Sequence, residues 1–385
     1  MKQIEIKQIF KLIFVSWVLF FYCYISSCTG NSNVPIDLVP GDTLTHHAEL
    51  LTIVKHPGNF WTVDIKNPWD TLTYLGRYII GEESRGEYKM PADYQFVKVP
   101  VNSIFVGSSV HGNPLTELGC IDKIRCVTDG EFFISEEIKD LIQKGTIVDA
   151  GSSMSPSLEK ILASSPDIAL ISPYQNSGNG ILDKTNAVVI NMADYMEKTP
   201  LARAEWILLL GILVDEFEAA NEIFNKVKHN YSQLSEDVEK VGEKPLVITE
   251  VPYNGVWYQP GGGSYMAALI RDAGGLPLLN DNREIGSVQM DISNVYNLGH
   301  KAQVWLIKTN EPLTYKDVES LTPLAQNINA FKNGNIWQAN TSKVPLYDDM
   351  AFHPDKVLKD FIIIFHPESN IGYDHTDYYF KTDNL

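Results

Sequence analysis

The chain has 385 residues, with 31 lysines and arginines against 48 aspartates and glutamates, giving a net charge of -17. A composition of 44% hydrophobic and 21% charged residues is that of a folded chain with a sizeable core and excludes a disordered one. The negative charge argues against a nucleic-acid partner and against electrostatic attachment to anionic lipid, since both need a basic surface.

The first 27 residues have the pattern of a secretory signal. Three lysines precede an uncharged apolar run, residues 12–25, that is short for a membrane span. The run leads into Ser26, Ser27 and Cys28, which resembles a bacterial lipobox. We therefore predict that Cys28 is lipidated and becomes the mature N-terminus, with a single N-terminal anchor helix as the alternative.

A tether and a β-rich prefix are predicted for residues 28–97. Runs of β-branched and aromatic residues alternate there with turn signals such as His-Pro-Gly-Asn at 56–59. The predicted strands are residues 50–54, 60–65 and 74–80.

From residue 98 the pattern changes to strand–helix alternation, which predicts two Rossmann-like α/β lobes, 98–199 and 245–385. A spine, 200–244, is predicted to join them through one long helix that starts after Pro200 and has apolar residues every three or four positions. The predicted strands are 103–107, 124–127, 147–148, 168–172, 187–190, 246–250 and 304–308. The predicted helices are 115–118, 136–143, 157–162, 201–237, 264–273, 321–325 and 356–365.

Cys120 and Cys126 lie six positions apart among aliphatic residues. An exported compartment permits a disulfide, but a small buried hydrophobe also suits both positions. We favour two buried thiols, with a disulfide as the alternative.

Six motifs occur in one order between residues 103 and 367. In the first lobe Gly151 precedes a Leu-Glu-x-Ile-Leu run and a Pro-Asp-apolar run. The others are the helical spine, a helix ending in Ala-Gly-Gly, an apolar strand and a closing helix before His-Pro. Their positions are 158–162, 166–171, 200–231, 264–275, 304–307 and 353–367. Together they resemble periplasmic binding proteins of the siderophore/vitamin B12 class, and the prefix resembles that of Bacteroidetes-type binding lipoproteins.

The resemblance implies a lipid-anchored protein of the cell envelope, not an enzyme, that delivers an iron–siderophore or related metal chelate to an ABC importer. A monomer that contacts an ABC permease is the expected assembly. The alternative is a surface lipoprotein that binds haem or a cobalamin-type corrinoid without docking on a permease. Neither reading implies a resident cofactor or metal.

Permease docking in the resembled class uses one acidic residue on each lobe. Glu159 occupies the first-lobe position, where a carboxylate on the first turn of a helix is also favoured by the helix dipole. The second-lobe position is Ser293, and Asp291, two residues earlier, is the substitute we predict.

Ligand contacts are predicted on loops that follow strands, because the cleft of a two-lobed parallel sheet lies at the carboxyl ends of its strands. Aromatic residues with polar tips suit a large, flat, partly apolar ligand. The glycine run 261–263, before a helix, is a candidate for holding an anionic group. The predicted contacts are Ser109, His111, Tyr174, Tyr253, Trp257, Tyr258, Lys308 and Tyr347.

Overall fold

A computed structural model describes residues 41–57, 60–82, 91–238, 242–368 and 374–382. The predicted signal, Cys28 and the tether lie outside these ranges. Pro40–Ser84 and Asp93–Leu385 form one structural unit, which contains every contact described below.

The prefix is a five-stranded sheet whose strands lie in chain order. Pairing is antiparallel except for the last strand, which runs parallel to its neighbour. Alternate side chains such as Ile53 and Val63 are fully buried, as the period of a strand requires, and they share one core cluster with the first lobe. The strands are β1 (Asp42–Thr43), β2 (Leu51–His56), β3 (Phe60–Lys66), β4 (Tyr74–Gly81) and β5 (Gln95–Lys98).

The first lobe contains a fully parallel five-stranded sheet: the first strand of the lobe lies at its centre, the second and third strands lie on one side, and the fourth and fifth lie on the other. Its second and third helices each begin at a serine, Ser135 and Ser157, whose hydroxyl accepts a backbone N–H of the first turn. The strands are β6 (Ile104–Val106), β7 (Ile124–Val127), β8 (Val148–Asp149), β9 (Ile168–Ile171) and β10 (Val188–Asn191). The helices are α1 (Gly112–Glu117), α2 (Glu136–Gln143) and α3 (Leu158–Ser164).

The spine is three helices, which corrects the predicted single helix over 201–237. They are α4 (Pro200–Ala204), α5 (Ile207–Val214) and α6 (Phe217–Val238). The chain turns at Asp215, which adopts a left-handed conformation with φ of 66°, so α5 ends there. A Cβ on Gly211 would lie 2.5 Å from the Cβ of Ala220, so glycine allows α5 and α6 to pack closely. The apolar residues therefore keep their spacing of three to four positions from α5 into α6, although the chain changes direction between these helices. The spacing alone does not indicate that change.

The strands of the second lobe are β11 (Leu246–Thr249), β12 (Val256–Pro260), β13 (Leu276–Pro277), β14 (Ser287–Asp291), β15 (Val304–Thr309), β16 (Ile336–Asn340) and β17 (Tyr379–Lys381). Five of them form one sheet, ordered β13-β11-β15-β16-β17, in which only β17 is antiparallel. A separate antiparallel ribbon is formed by β12 and β14. The helices are α7 (Tyr265–Asp272), α8 (Ile292–Gly299), α9 (Tyr315–Leu321), α10 (Asn329–Lys332), α11 (Leu346–Phe352) and α12 (Pro354–Phe365).

The helix predicted at 321–325 is wrong in position. Thr314 and Asp317 form a capping box that starts α9 earlier in the chain. Thr322 is extended, as expected for a residue before proline, so the helix ends at Leu321.

Two α/β lobes with largely parallel sheets confirm the predicted fold class. Cys120 and Cys126 are both free and buried, as favoured by their aliphatic surroundings. Among the described residues no helix combines the length and hydropathy that a bilayer span requires.

Candidate functional site

A cavity of about 290 Å³ lies between residues of the two lobes. The first lobe contributes Tyr195 and Met196, which follow β10. The second lobe contributes residues at the carboxyl ends of β11 and β15, the β12–β14 ribbon, and the starts of α7 and α11. These are Thr249, Glu250, Tyr258, Pro260, Ser264, Tyr265, Met266, Ile285, Gly286, Ser287, Lys308, Tyr347 and Met350. We call this the tyrosine cavity.

Its charged groups are an ion pair between Lys308 and Glu250, both partly buried. Glu250 has a positive φ of 60°, and its backbone carbonyl accepts the indole N–H groups of Trp257 at 3.1 Å and Trp305 at 2.7 Å. Burial alone would lower the pKa of Lys308, but the charge and hydrogen bond of Glu250, together with Tyr379 and Tyr347, outweigh it and raise that pKa. Lys308 therefore stays cationic and held in place.

Four tyrosines line the same cavity: Tyr195, Tyr258, Tyr265 and Tyr347. Tyr258 and Tyr347 remain 42% and 47% exposed, so their rings are accessible to a ligand. Burial raises the pKa of Tyr347, and the Lys308 charge offsets this only in part. Burial and the charge of Asp194 raise the pKa of Tyr195 to about 12. Both hydroxyls are therefore protonated near neutral pH; that of Tyr195 donates to the backbone carbonyl of Pro173, and that of Tyr347 can donate a hydrogen bond to a ligand.

The structure brings three of the predicted contacts together, because Tyr258, Lys308 and Tyr347 all line the tyrosine cavity. Tyr174 and Tyr253 are 64% and 73% exposed on loops and do not line it. Ser109 is partly buried in a turn of 3-10 helix, also outside the lining.

His111 is buried and belongs to an ionic network instead of the lining. Its Nε2 lies 3.0 Å from Oδ1 of Asp194. The other carboxylate oxygen, Oδ2, accepts a hydrogen bond from the Nε–H of Arg203 at 3.0 Å. Burial alone would raise the pKa of Asp194, but the His111 and Arg203 charges outweigh it and lower that pKa. The Arg203 guanidinium lies 4.7 Å from the ring centre of Tyr265, a residue of the cavity. His111 therefore contacts the cavity only indirectly, through Asp194, Arg203 and Tyr265. This corrects its predicted role as a ligand contact.

Trp257 has no exposed surface and packs on Trp305, with ring centres 5.4 Å apart. It lies in β12, where the sequence predicts a loop. Neighbouring residues of a strand point to opposite faces, so Trp257 points into the core while Tyr258 points outward. The placement corrects the predicted ligand contact of Trp257, and the two neighbouring aromatic residues give no sequence signal for which of them is buried.

The glycine run packs against backbone and does not form an open anion site. A Cβ on Gly262 would lie 2.3 Å from the carbonyl oxygens of Leu279 and Asn282. Ser264, the next polar residue, uses its hydroxyl to cap α7. Close packing explains these glycines and corrects the anion-binding prediction.

The residues missed by the sequence reading are Tyr195, Glu250 and Tyr265. Each lies at the end of a strand or the start of a helix, next to the cavity. Glu250 directly follows β11, so the rule that located Lys308 could also have found it.

The two predicted docking acids are both exposed. Glu159 lies on the first turn of α3, which Ser157 caps. Asp291 is the N-cap residue of α8 and makes no capping bond with its side chain. Ser293 is exposed on the same helix. Within the described ranges, no group of three or more histidine, cysteine or acidic side chains is arranged to hold a metal ion.

A profile of the family described as periplasmic binding protein matches residues 134–340, more than half of the chain. The chain belongs to the periplasmic binding protein family. Periplasmic binding proteins are solute-binding transport components and are not enzymes. The matched region includes most of the tyrosine cavity and leaves the β-rich prefix outside.

Individual relatives are more distant. An uncharacterised lipoprotein of Methanocaldococcus jannaschii is 25% identical over 74% of this chain and 70% of its own length. Among solved structures, a periplasmic haem-binding protein of Pseudomonas aeruginosa has a TM-score of 0.58 at 13% identity, covering 74% of this chain and 98% of its own. A petrobactin-binding protein of Bacillus subtilis has a TM-score of 0.53 at 18% identity, covering 68% and 92%. These structures share the fold of this periplasmic binding protein.

Proposed function

We propose that this protein captures an iron–siderophore or related metal chelate between its lobes and delivers it to an ABC importer. The observation that carries the proposal is the tyrosine cavity, which combines exposed aromatic rings with one partly buried cation. Haem- and petrobactin-binding proteins have the same fold, which supports a chelate of this kind as the ligand. A lipid on Cys28 would hold the protein in the cell envelope, and mass spectrometry of the mature N-terminus tests that anchor.

The chemistry of the cavity fits such a ligand. Tyr258 and Tyr347 can bury the faces of a flat chelate and donate hydrogen bonds to its oxygens. Lys308 can share its charge between Glu250 and an anionic group on the ligand. Both features favour a partly apolar, oxygen-rich compound over a bare metal ion.

Titration of the purified protein with ferric siderophores, haem and cobalamins tests the proposal. Trp257 and Trp305 both contact the backbone of Glu250, so a ligand in the cavity is expected to quench tryptophan fluorescence saturably. A Tyr258→Ala/Tyr347→Ala variant should bind about a hundredfold more weakly, because it loses two stacking surfaces.

Tyr253→Ala is the matched control, since Tyr253 is an exposed loop tyrosine outside the cavity. Its affinity should equal that of the wild type. Saturable binding of none of these compounds would contradict the proposed function. Equal losses in the control and the double variant would contradict the location of the site.

The second candidate is a haem- or corrinoid-binding surface lipoprotein that does not dock on a permease. The observation that favours it is Ser293, where the resembled class has an acid. Docking instead predicts that Glu159→Ala and Asp291→Ala each weaken binding to the cognate permease in nanodiscs several-fold, more at low salt, since exposed charges are screened.

Glu137→Ala, which removes an exposed acid from the first turn of α2, is the control and should bind the permease like the wild type. Permease binding that is the same for all four proteins would rule out docking through these acids. Complete absence of binding by the wild type would favour the second candidate.

A further inference from the structure

A second cavity, of about 360 Å³, lies beside the tyrosine cavity. Met196 and Ile285 line both cavities. The prefix provides much of its lining, through the segment before β2 and the turn after β3. The remaining lining residues are Ala48, Glu49, Leu50, Thr52, Lys66, Pro68, Thr71, Glu197 and Lys198. We call this the prefix cavity.

Buried carboxylates hold the prefix side of this cavity in place. Glu197 accepts the backbone N–H groups of Glu49 and Leu50, each at 3.0 Å, and the indole N–H of Trp206 at 3.1 Å. The carboxylate of Glu205 accepts the backbone N–H groups of residues 46–48, which come directly before Glu49 in the chain. This side of the prefix cavity is therefore ordered before any ligand binds.

The charges of the prefix cavity leave one cation uncommitted. Lys198 pairs with Glu49. The carboxylate of Glu197 is surrounded by its three N–H donors. Lys66, partly buried at the end of β3, makes no ion pair or hydrogen bond through its ammonium group with any residue in the described ranges.

We propose that the prefix cavity is a second subsite for the same ligand and that Lys66 binds a carboxylate arm of it. This inference rests on the proposed function. Met196 and Ile285 line both cavities and lie between the two subsites. The body of the chelate would therefore lie on the tyrosines, and its carboxylate arm would extend past Met196 and Ile285 to Lys66. The ligand class is an amphipathic chelate with at least one free carboxylate. The prefix lies outside the family match, so the subsite is an addition to the shared fold.

Citrate, a small tricarboxylate, tests the anion contact without the rest of the ligand. Thermal unfolding of the full-length protein should show a saturable rise in Tm with citrate, compared with sodium chloride at equal ionic strength. Lys66→Met should abolish the rise, and Lys66→Arg should retain it. Lys332→Met removes an exposed lysine at the end of α10, outside this lining, and should respond like the wild type.

The same variants separate this inference from the proposed function. A chelate with free carboxylates should bind Lys66→Met about tenfold more weakly than the wild type, because the variant loses one charge-assisted hydrogen bond. A chelate without carboxylates should bind the variant and the wild type equally well. An equal citrate response in the wild type and Lys66→Met, or an unchanged affinity for the carboxylate chelate, overturns the subsite alone. A citrate response that depends on Lys66, with no chelate bound, overturns the proposed function and the shared ligand but retains an anion site.

Discussion

Glu205→Ala is expected to lower the free energy of unfolding by about 3–5 kcal/mol, because three backbone N–H groups lose their acceptor at once. Glu205 is fully buried, and its oxygens lie 2.7–2.9 Å from the amide nitrogens of residues 46–48. Urea unfolding followed by circular dichroism measures the loss. Hydrogen exchange should locate it, with the amides of residues 46–48 losing protection first.

Two further variants define the cause. Glu205→Gln retains one acceptor oxygen and should lose less stability than Glu205→Ala. Glu222→Ala removes an exposed acid from α6 and should change the free energy of unfolding little. A loss in Glu205→Ala no larger than that in Glu222→Ala would show that these hydrogen bonds do not hold the prefix.

Asp348→Asn is expected to make the protein more stable above pH 7, by up to about 4 kcal/mol. Asp348 is 7% exposed, and burial, followed by the neighbouring Asp349 charge, raises its pKa to about 7 against the opposing charge of Arg203. In the unfolded chain the same group has a pKa near 4. Between these values the unfolded state releases a proton that the folded state keeps, so wild-type stability falls as the pH rises from about 4 to 7.

The asparagine variant cannot ionise, so it should lack this fall. The difference in the free energy of unfolding between the variant and the wild type should be smallest below pH 4, increase towards pH 7 and stay constant above pH 7. Chemical unfolding at a series of pH values measures it, with Asp122→Asn, an exposed acid, as the control. Parallel curves for the wild type and Asp348→Asn across this range would contradict the raised pKa.

Much of the secondary structure could be predicted because its signals are local. The strand–helix alternation predicts α2 at 136–143, where the structure has it. Runs of β-branched and aromatic residues between turn signals predict β2, β3 and β4, three of the five prefix strands, to within about two residues. The rule that ligands meet the carboxyl ends of strands located Tyr258, Lys308 and Tyr347. A helix period, by contrast, is blind to a change in direction, so the break at Asp215 was not predicted.

The site residues that resisted prediction are those whose role depends on distant partners. Nothing near His111 in the chain indicates that the carboxylate of Asp194, 83 residues away, is its hydrogen-bond partner in the core. Glu205 holds a segment up to 159 residues earlier, which makes the prefix part of a cavity and not a separate domain. Trp257 and Tyr258 have similar side chains, and only the position of β12 over the sheet decides which one is exposed.

The amino-acid pattern alone was sufficient for the fold class and the order of most strands and helices, and it favoured buried thiols over a disulfide. Each of these follows from periodicity, capping or chain order, which act over a few residues. Only the folded chain shows that two cavities share Met196 and Ile285 and that His111 is buried. The folded chain also decides that Glu49 pairs with Lys198. Burial and electrostatics are sums over neighbours in space, and most of those neighbours are distant in sequence.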